Sequence, residues 1–180
     1  MVLRLLQSLL YLLLISTGVW SSDLDDDLLK EIAETSEEIL KKFPPSEYYY
    51  LGLGRSPPAL IAYIQETIGD SNASSIPLSE FRYKTTPSGI SERLSSKLKA
   101  HFERFIPDEA NLRGRKLLLI DFTSSGESLN SVFYHFKRLM KGIDIEPLAI
   151  VKGSVSHGIA RRYPAIDKQH MITLPAKSNL

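Results

Sequence analysis

The chain has 180 residues, 43% hydrophobic and 24% charged, a mixture that fits one folded domain with a real core. The net charge of +1 gives no support for a broad nucleic-acid-binding face or a polybasic membrane surface. There is no cysteine, which excludes disulfides, cysteine nucleophiles and thiolate metal sites and fits any redox compartment.

Residues 1–22 differ from the rest. Met1 to Arg4 carries one positive charge, Leu5 to Ile15 is apolar except for Gln7, Ser8 and Tyr11, and Thr17 to Ser22 is small and polar apart from Val19 and Trp20. That order reads as a secretory signal peptide cut after Ser21, which predicts an exported protein. The apolar run is shorter than the about 20 residues that span a bilayer. Left uncut it would act as an anchor. The plainer alternative is an amphipathic helix packed on the domain, with the protein cytoplasmic. Residues 23–180 form the predicted domain.

Asp23 to Lys42 is predicted helical: Leu24, Leu28, Leu29, Ile32, Ile39 and Leu40 recur near every 3.6 residues, with acids early and Lys41-Lys42 late. Phe43-Pro44-Pro45 stops it. Tyr48 to Leu53 reads as a buried strand and Gly54 to Pro58 as a turn. Ala59 to Ile68 reads as a helix with Ser56 as a candidate N-cap. Gly69 to Ser75 is a polar loop, Ile76 to Tyr83 a second strand weakened by Pro77, and Lys84 to Gly89 a mobile polar stretch. Ser91 to Phe105 is helical with Leu94, Leu98, Phe102 and Phe105 on one face. Leu117 to Ile120 is apolar without alternation, as in a parallel strand covered on both faces. Ser128 to Lys141 is an amphipathic helix, and Ile145 to Val151 and Met171 to Leu174 are strands. The alternation predicts an α/β fold: an open, mainly parallel sheet with helices on both faces, in three layers.

Ligands of such sheets sit beyond the C-terminal strand ends. Two loops there have unusual composition. Asp121 to Ser128 follows the buried strand and opens a helix. Thr123, Ser124, Ser125 and Ser128 offer hydroxyls, Gly126 lets the backbone curl, and the helix N-terminus favours an anion, so phosphate is the natural guest. Asp121 could accept from sugar hydroxyls or hold a divalent cation through water. The bland alternative is a Ser-capped helix start beside a solvated Asp. Leu51 to Ala59 is the second loop, where Arg55 offers a planar fork of donors for phosphate or pyrophosphate oxygens and Gly52 and Gly54 permit close approach. Its bland alternative is a surface arginine on a turn.

These loops carry a resemblance to the type I phosphoribosyltransferase (PRTase) family. That family has an apolar run, two acids, two variable residues, then Thr-Thr-Gly or Asp-Thr-Gly, a variable residue, Thr and Leu. Leu117 to Leu129 resembles this pattern, with Asp121 at the second acid. The resemblance implies that Ser125, Gly126 and Ser128, with Thr123, Ser124 and Glu127 in the same loop, surround a ribose 5-phosphate. It assigns Asp121 to the ribose hydroxyls and, with Mg2+, to the catalytic and metal role. Tyr50 to Ala59 looks like the family's pyrophosphate loop, with Arg55 and Ser56 as binding residues, and Lys84 to Arg93 falls where the family has a mobile lid. Lys152, at a strand end, falls near a lysine that reaches the base in purine members; a solvated strand terminus is the plainer alternative. The chain departs from the pattern at Ile120, which replaces the first acid, at Ser124, at Ser56-Pro57, where Pro57 and Pro58 remove N–H donors, and at Glu127, which adds negative charge beside the phosphate position.

Other motifs give less. His101, His135, His157 and His170 lack metal-ligand spacing. Ser156-His157-Gly158 has no nucleophile elbow, and no Gly-Lys-Ser/Thr marks a P-loop. Arg161 and Arg162 read as the solvated side of a short helix, and Tyr48 to Tyr50 as strand core. The resemblance implies phosphoribosyl pyrophosphate and Mg2+ as ligands, a possible transfer to a base, and a homodimer among possible assemblies. An inactive sensor or protein-binding module is the alternative from another class, and export favours it, because the metabolite is intracellular.

Overall fold

The computed structural model describes residues 26–55, 57–78, 92–107, 112, 114–153, 156–178 and 180. Its helices are α1 (Asp26–Lys42), α2 (Pro58–Ile68), α3 (Glu92–Phe102), α4 (Glu127–Leu139) and α5 (Ser156–Arg162). Its strands are β1 (Tyr48–Leu53), β2 (Ala73–Ile76), β3 (Lys116–Phe122), β4 (Ile145–Lys152) and β5 (Met171–Leu174). The strands form one sheet in the order β2-β1-β3-β4-β5, with every pair parallel.

The predicted architecture is observed, because the sequence periods agree with it. β1 is buried along its whole length and β3 from Leu117 to Ile120, as an unalternated run in a doubly covered strand requires. Side chains alternate between two cores. Leu117 and Leu119 join Leu98, Phe102, Leu129, Val132, Phe136 and Ile159 from α3, α4 and α5. Leu118 and Ile120 join Ile32, Ile39, Leu60, Ile61 and Ile64 from α1 and α2. Phe102 and Phe136 stack with ring centroids 3.7 Å apart, tying α3 to α4.

Two boundaries differ in a way that matters. Against the strand expected at Ile76 to Tyr83, β2 runs from Ala73 to Ile76, preceded by a 3-10 turn at Asp70–Asn72; Pro77 and Leu78 are outside any strand, and residues 79–83 lie outside the described residues. Ala73 and Ile76 are buried on opposite faces, and a short hydroxyl-rich stretch suffices to pair with β1 at the sheet edge. α2 starts at Pro58 with Pro57 as its N-cap and no side-chain cap. Ser56, the expected cap, lies outside the described residues, as do residues 1–25, including the expected export signal, and 84–91 of the expected lid. Among the described residues no helix is long and apolar enough to cross a membrane.

At the N-terminal end of the sheet a polar cluster links β1, β3 and β4 to the 3-10 turn Lys168–His170 that precedes β5. Glu146 accepts from Lys116 Nζ at 2.6 Å and Tyr48 Oη at 3.0 Å, and it lies 3.3 Å from His170 Nε2. His170 Nδ1 lies 2.8 Å from Asp167. Burial would raise the Glu146 carboxyl, but the Lys116, Tyr48 and His170 contacts outweigh it and hold it below the usual range. A depressed carboxyl stabilises the fold above its unfolded pKa, and that stability is lost as pH falls through the folded value. Glu146→Gln is therefore expected to lower stability at pH 7 by about 1 kcal/mol, the low end for a partly solvated charged cluster. Urea denaturation checks this, and the difference from wild type should shrink at acid pH.

Candidate functional site

From β1 the chain moves outward to β2, then returns to place β3 on the other side of β1. The register pairs Gly52 with Ile120, so the two strands end side by side. The chain after β1 turns into α2 on one face, and the chain after β3 turns into α4 on the other. The connections part, which leaves a crevice at the point where the strand order reverses. Both loops singled out by their composition border it.

The β3–α4 loop is closely tied down. The Thr123 N–H donates to the Ile150 carbonyl at 2.9 Å, fixing the loop's first residue to β4. The Gly126 N–H donates to Thr123 Oγ1 at 2.8 Å and the Glu127 N–H to Ser125 Oγ at 3.4 Å. Each hydroxyl oxygen accepts from backbone and keeps its own proton to donate to a guest. Gly126 is the N-cap, at φ 74, a left-handed conformation that a side chain would strain. A Cβ there would also lie 2.8 Å from Ile159 Cγ2 and 3.0 Å from Tyr163 Cδ2, so α5 and Tyr163 pack directly beneath the loop. Ser124, Ser125 and Glu127 are exposed, Thr123 and Ser128 half-buried. Helix geometry leaves the Ser128 and Leu129 N–H groups without intrahelical acceptors. The charge of Glu127 sits in solvent at the first helical position.

Asp121 is the electrostatic feature of the crevice. Alternation along β3 puts its side chain on the face of Leu117 and Leu119, below which lies the α3–α4 core. Burial pushes its carboxyl up to about 7, offset in part by a hydrogen bond to the Phe122 backbone. At neutral pH the group is poised between donor and acceptor, whereas a solvated Asp is always charged. Ile120, where the family pattern has an acid, faces the other way and is fully buried in the α1–α2 core.

The β1–α2 loop serves packing first. A Cβ on Gly52 would meet Ile61 Cγ1 at 2.6 Å, so this glycine lets α2 close on β1. Gly54 is at φ 76, its N–H bonded to the Ile76 carbonyl, and a Cβ there would lie 2.9 Å from the Leu78 carbonyl oxygen. Arg55 follows, exposed at the crevice edge. Pro57 and Pro58 carry no N–H, so α2 can offer an anion only the amides of Ala59 and Leu60. On the β4 side, Lys152 is exposed and donates to the Ser178 carbonyl at 2.9 Å, so here the lysine is engaged with the chain's last residues. Arg161 and Arg162 are exposed on α5, as expected for its solvated side, and Tyr48, Tyr49 and Tyr50 are buried in the core.

Neither sequence signal foretold that Thr123 and Ser125 would cap backbone amides, nor that Tyr163 would support Gly126. Thr three residues before Gly was the available hint to the first; nothing local signals the second. A cleft of about 510 Å³ lined by Tyr49, Ser74, Arg104 and Phe105, among others, lies toward the N-terminal half of β1, away from this crevice. Among the described residues no group of three or more His, Cys, Asp or Glu could hold a metal ion. A divalent cation would therefore take most of its ligands from a guest's phosphates and water, with Asp121 adding one carboxylate. Compared with known proteins, the chain matches no family model and no curated sequence.

Two outcomes follow from this geometry. A carboxyl with a raised pKa destabilises the fold as pH climbs from its unfolded value, about 3.9, toward its folded one. Asp121→Asn is thus expected to be more stable than wild type at pH 8 by on the order of 2 kcal/mol, with the difference vanishing near pH 4. Thermal or urea denaturation across pH checks it. Gly126→Ala is expected to cost about 2 kcal/mol or more, from left-handed strain and contact with Ile159 and Tyr163, as measured by urea denaturation.

Proposed function

We propose that the crevice between the β1 and β3 ends binds a phosphorylated ribose, phosphoribosyl pyrophosphate with Mg2+ being the fullest ligand of that class, and that the chain is a divergent phosphoribosyltransferase-like domain. The observation that carries the reading is the juxtaposition of a hydroxyl-lined, left-handed glycine loop with a desolvated Asp121 at the reversal of strand order. The 5-phosphate would sit against Ser125, Gly126 and Ser128, beside the Ser128 and Leu129 amides that have no intrahelical acceptor. Thr123 would keep the loop in shape. Asp121 would engage the ribose hydroxyls, and a ligand bringing cationic charge would draw it toward its ionised form. Arg55 would reach the pyrophosphate. Mg2+ would neutralise the pyrophosphate oxygens.

In a transfer reaction the bond from the ribose C1 to pyrophosphate breaks, a nucleophile bonds to C1, and its proton is released. The developing positive charge on the ribose is stabilised by electrostatics and positioning. Asp121 is the chain's candidate for that charge.

A second reading keeps the ligand and drops the transfer. Ile120 is fully buried among apolar side chains, so the acid of the family pattern is replaced by core packing. The prolines that open α2 reduce the amides available to pyrophosphate. These features suit a sensor or protein-binding module that recognises the phosphoribosyl group.

Calorimetric titration of the full chain with phosphoribosyl pyrophosphate and Mg2+ tests binding. The expected Kd is micromolar, about −8 kcal/mol, and the Ser125→Ala/Ser128→Ala variant should bind at least about tenfold more weakly. Full affinity in that variant, or no binding by folded wild type, would remove the assignment. Pyrophosphate release with a panel of bases then separates the transferase from the sensor.

A further inference from the structure

The net charge of +1 conceals a separation of charge between the two helical layers. α3, α4 and α5 cover one face of the sheet and carry seven Lys or Arg against two Glu. α1 and α2 cover the other and carry seven Asp or Glu against three Lys. The basic layer has a definite centre. Tyr134 is the exposed large aromatic among the described residues, at 50% exposure, and Lys137 and Lys141 follow it on the outer side of α4 and its exit, both exposed. On the acidic layer Glu34, Glu37 and Glu38 are exposed along α1.

We propose that the basic layer is an interaction surface whose partner is the acidic layer of a second copy of this chain. Charge complementarity favours this partner. The two layers carry nearly equal and opposite charge, so each copy presents the other with what it lacks. A near-zero total means that copies do not repel one another at long range. A polyanion, by contrast, would meet attraction on one layer and repulsion on the other. At physiological salt the fields reach about 8 Å, so the attraction acts mainly when the layers are close. The two surfaces lie on opposite faces of the sheet, so the contact joins unlike patches, head to tail, and each copy keeps one free face for the next. Tyr134 gives the contact an apolar centre inside a charged rim, the usual anatomy of such surfaces. The crevice at the strand ends stays open, because neither layer's outer face is part of it.

Sedimentation velocity on the full chain tests this, with two neutralising variants. Lys137→Gln/Lys141→Gln weakens the basic face and leaves the acidic one. Glu34→Gln/Glu38→Gln does the reverse. All four positions are exposed, and urea denaturation of each variant confirms the fold. At low ionic strength wild type is expected to form species larger than a dimer, and raising salt to about 0.5 M should weaken association about tenfold or more. Each variant alone should be monomeric, and their equimolar mixture should give a complex that stops at the dimer, because each contributes one intact face. A monomeric wild type at low salt, salt-insensitive association, or variants that assemble as wild type does would each overturn the proposal. So would a mixture that stays monomeric, or a basic layer that binds single-stranded DNA while the chain does not self-associate.

Discussion

The pairing of β1 with β3 is the constraint on which the rest of the molecule depends. Tyr48 through Gly52 align with Lys116 through Ile120, although more than sixty residues separate them in sequence. That long-range closure places β1, the earliest strand among the described residues, inside the sheet beside the central β3, and the chain builds outward from the pair in both directions. The consequence is geometric. α2 must leave β1 toward one face and α4 must leave β3 toward the other, so the two loops that precede them cannot pack together. A crevice at the C-terminal ends is the result, and it exists before any ligand chemistry is considered.

The chemistry of the crevice comes from a conflict between burial and charge. β3 is an apolar strand to Ile120, and its next residue is a carboxylate on the same face as Leu119. The side chain is half-buried there, and this burial disfavours the ionised form of Asp121 and pushes its carboxyl up to about 7. Such a carboxyl is costly to the fold and suited to exchanging hydrogen bonds with a polyol. One residue earlier, Ile120 resolves the same conflict by giving up charge for packing against the α1–α2 core. The contrast between neighbouring positions is one of environment: Asp121 is half-buried at the strand end, whereas Ile120 is fully buried in the core.

Much of the fold was legible because strand and helix periods in the sequence agreed with their burial. The unalternated run at Leu117 to Ile120 announced a doubly covered strand, and the stripe Leu129, Val132, Phe133 and Phe136 announced the face of α4. β2 was displaced because Ala73-Ser74-Ser75-Ile76 has the composition of a loop; it is a strand only because β1 offers an edge to pair with. The strand, loop and helix start of Asp121 to Ser128 were visible from residue types. The loop's internal capping by Thr123 and Ser125 was not, since hydroxyls that cap and hydroxyls that wait for a ligand look alike in sequence. The role of Gly126 in admitting Ile159 and Tyr163, the meeting of Tyr48, Lys116, Glu146 and His170, and the charge of each helical layer all depend on which face each element covers. No local pattern contains that information.

The ligand proposed for the strand-end crevice is a phosphorylated ribose. The most direct test is to follow backbone amide resonances of the full chain while ribose 5-phosphate is added. Thr123, Ser124, Ser125, Gly126, Glu127 and Ser128 are expected to shift first and saturate together, with Asp121 and its neighbours following. Shifts confined to other parts of the fold, or none in the loop at saturating ligand, would contradict that assignment.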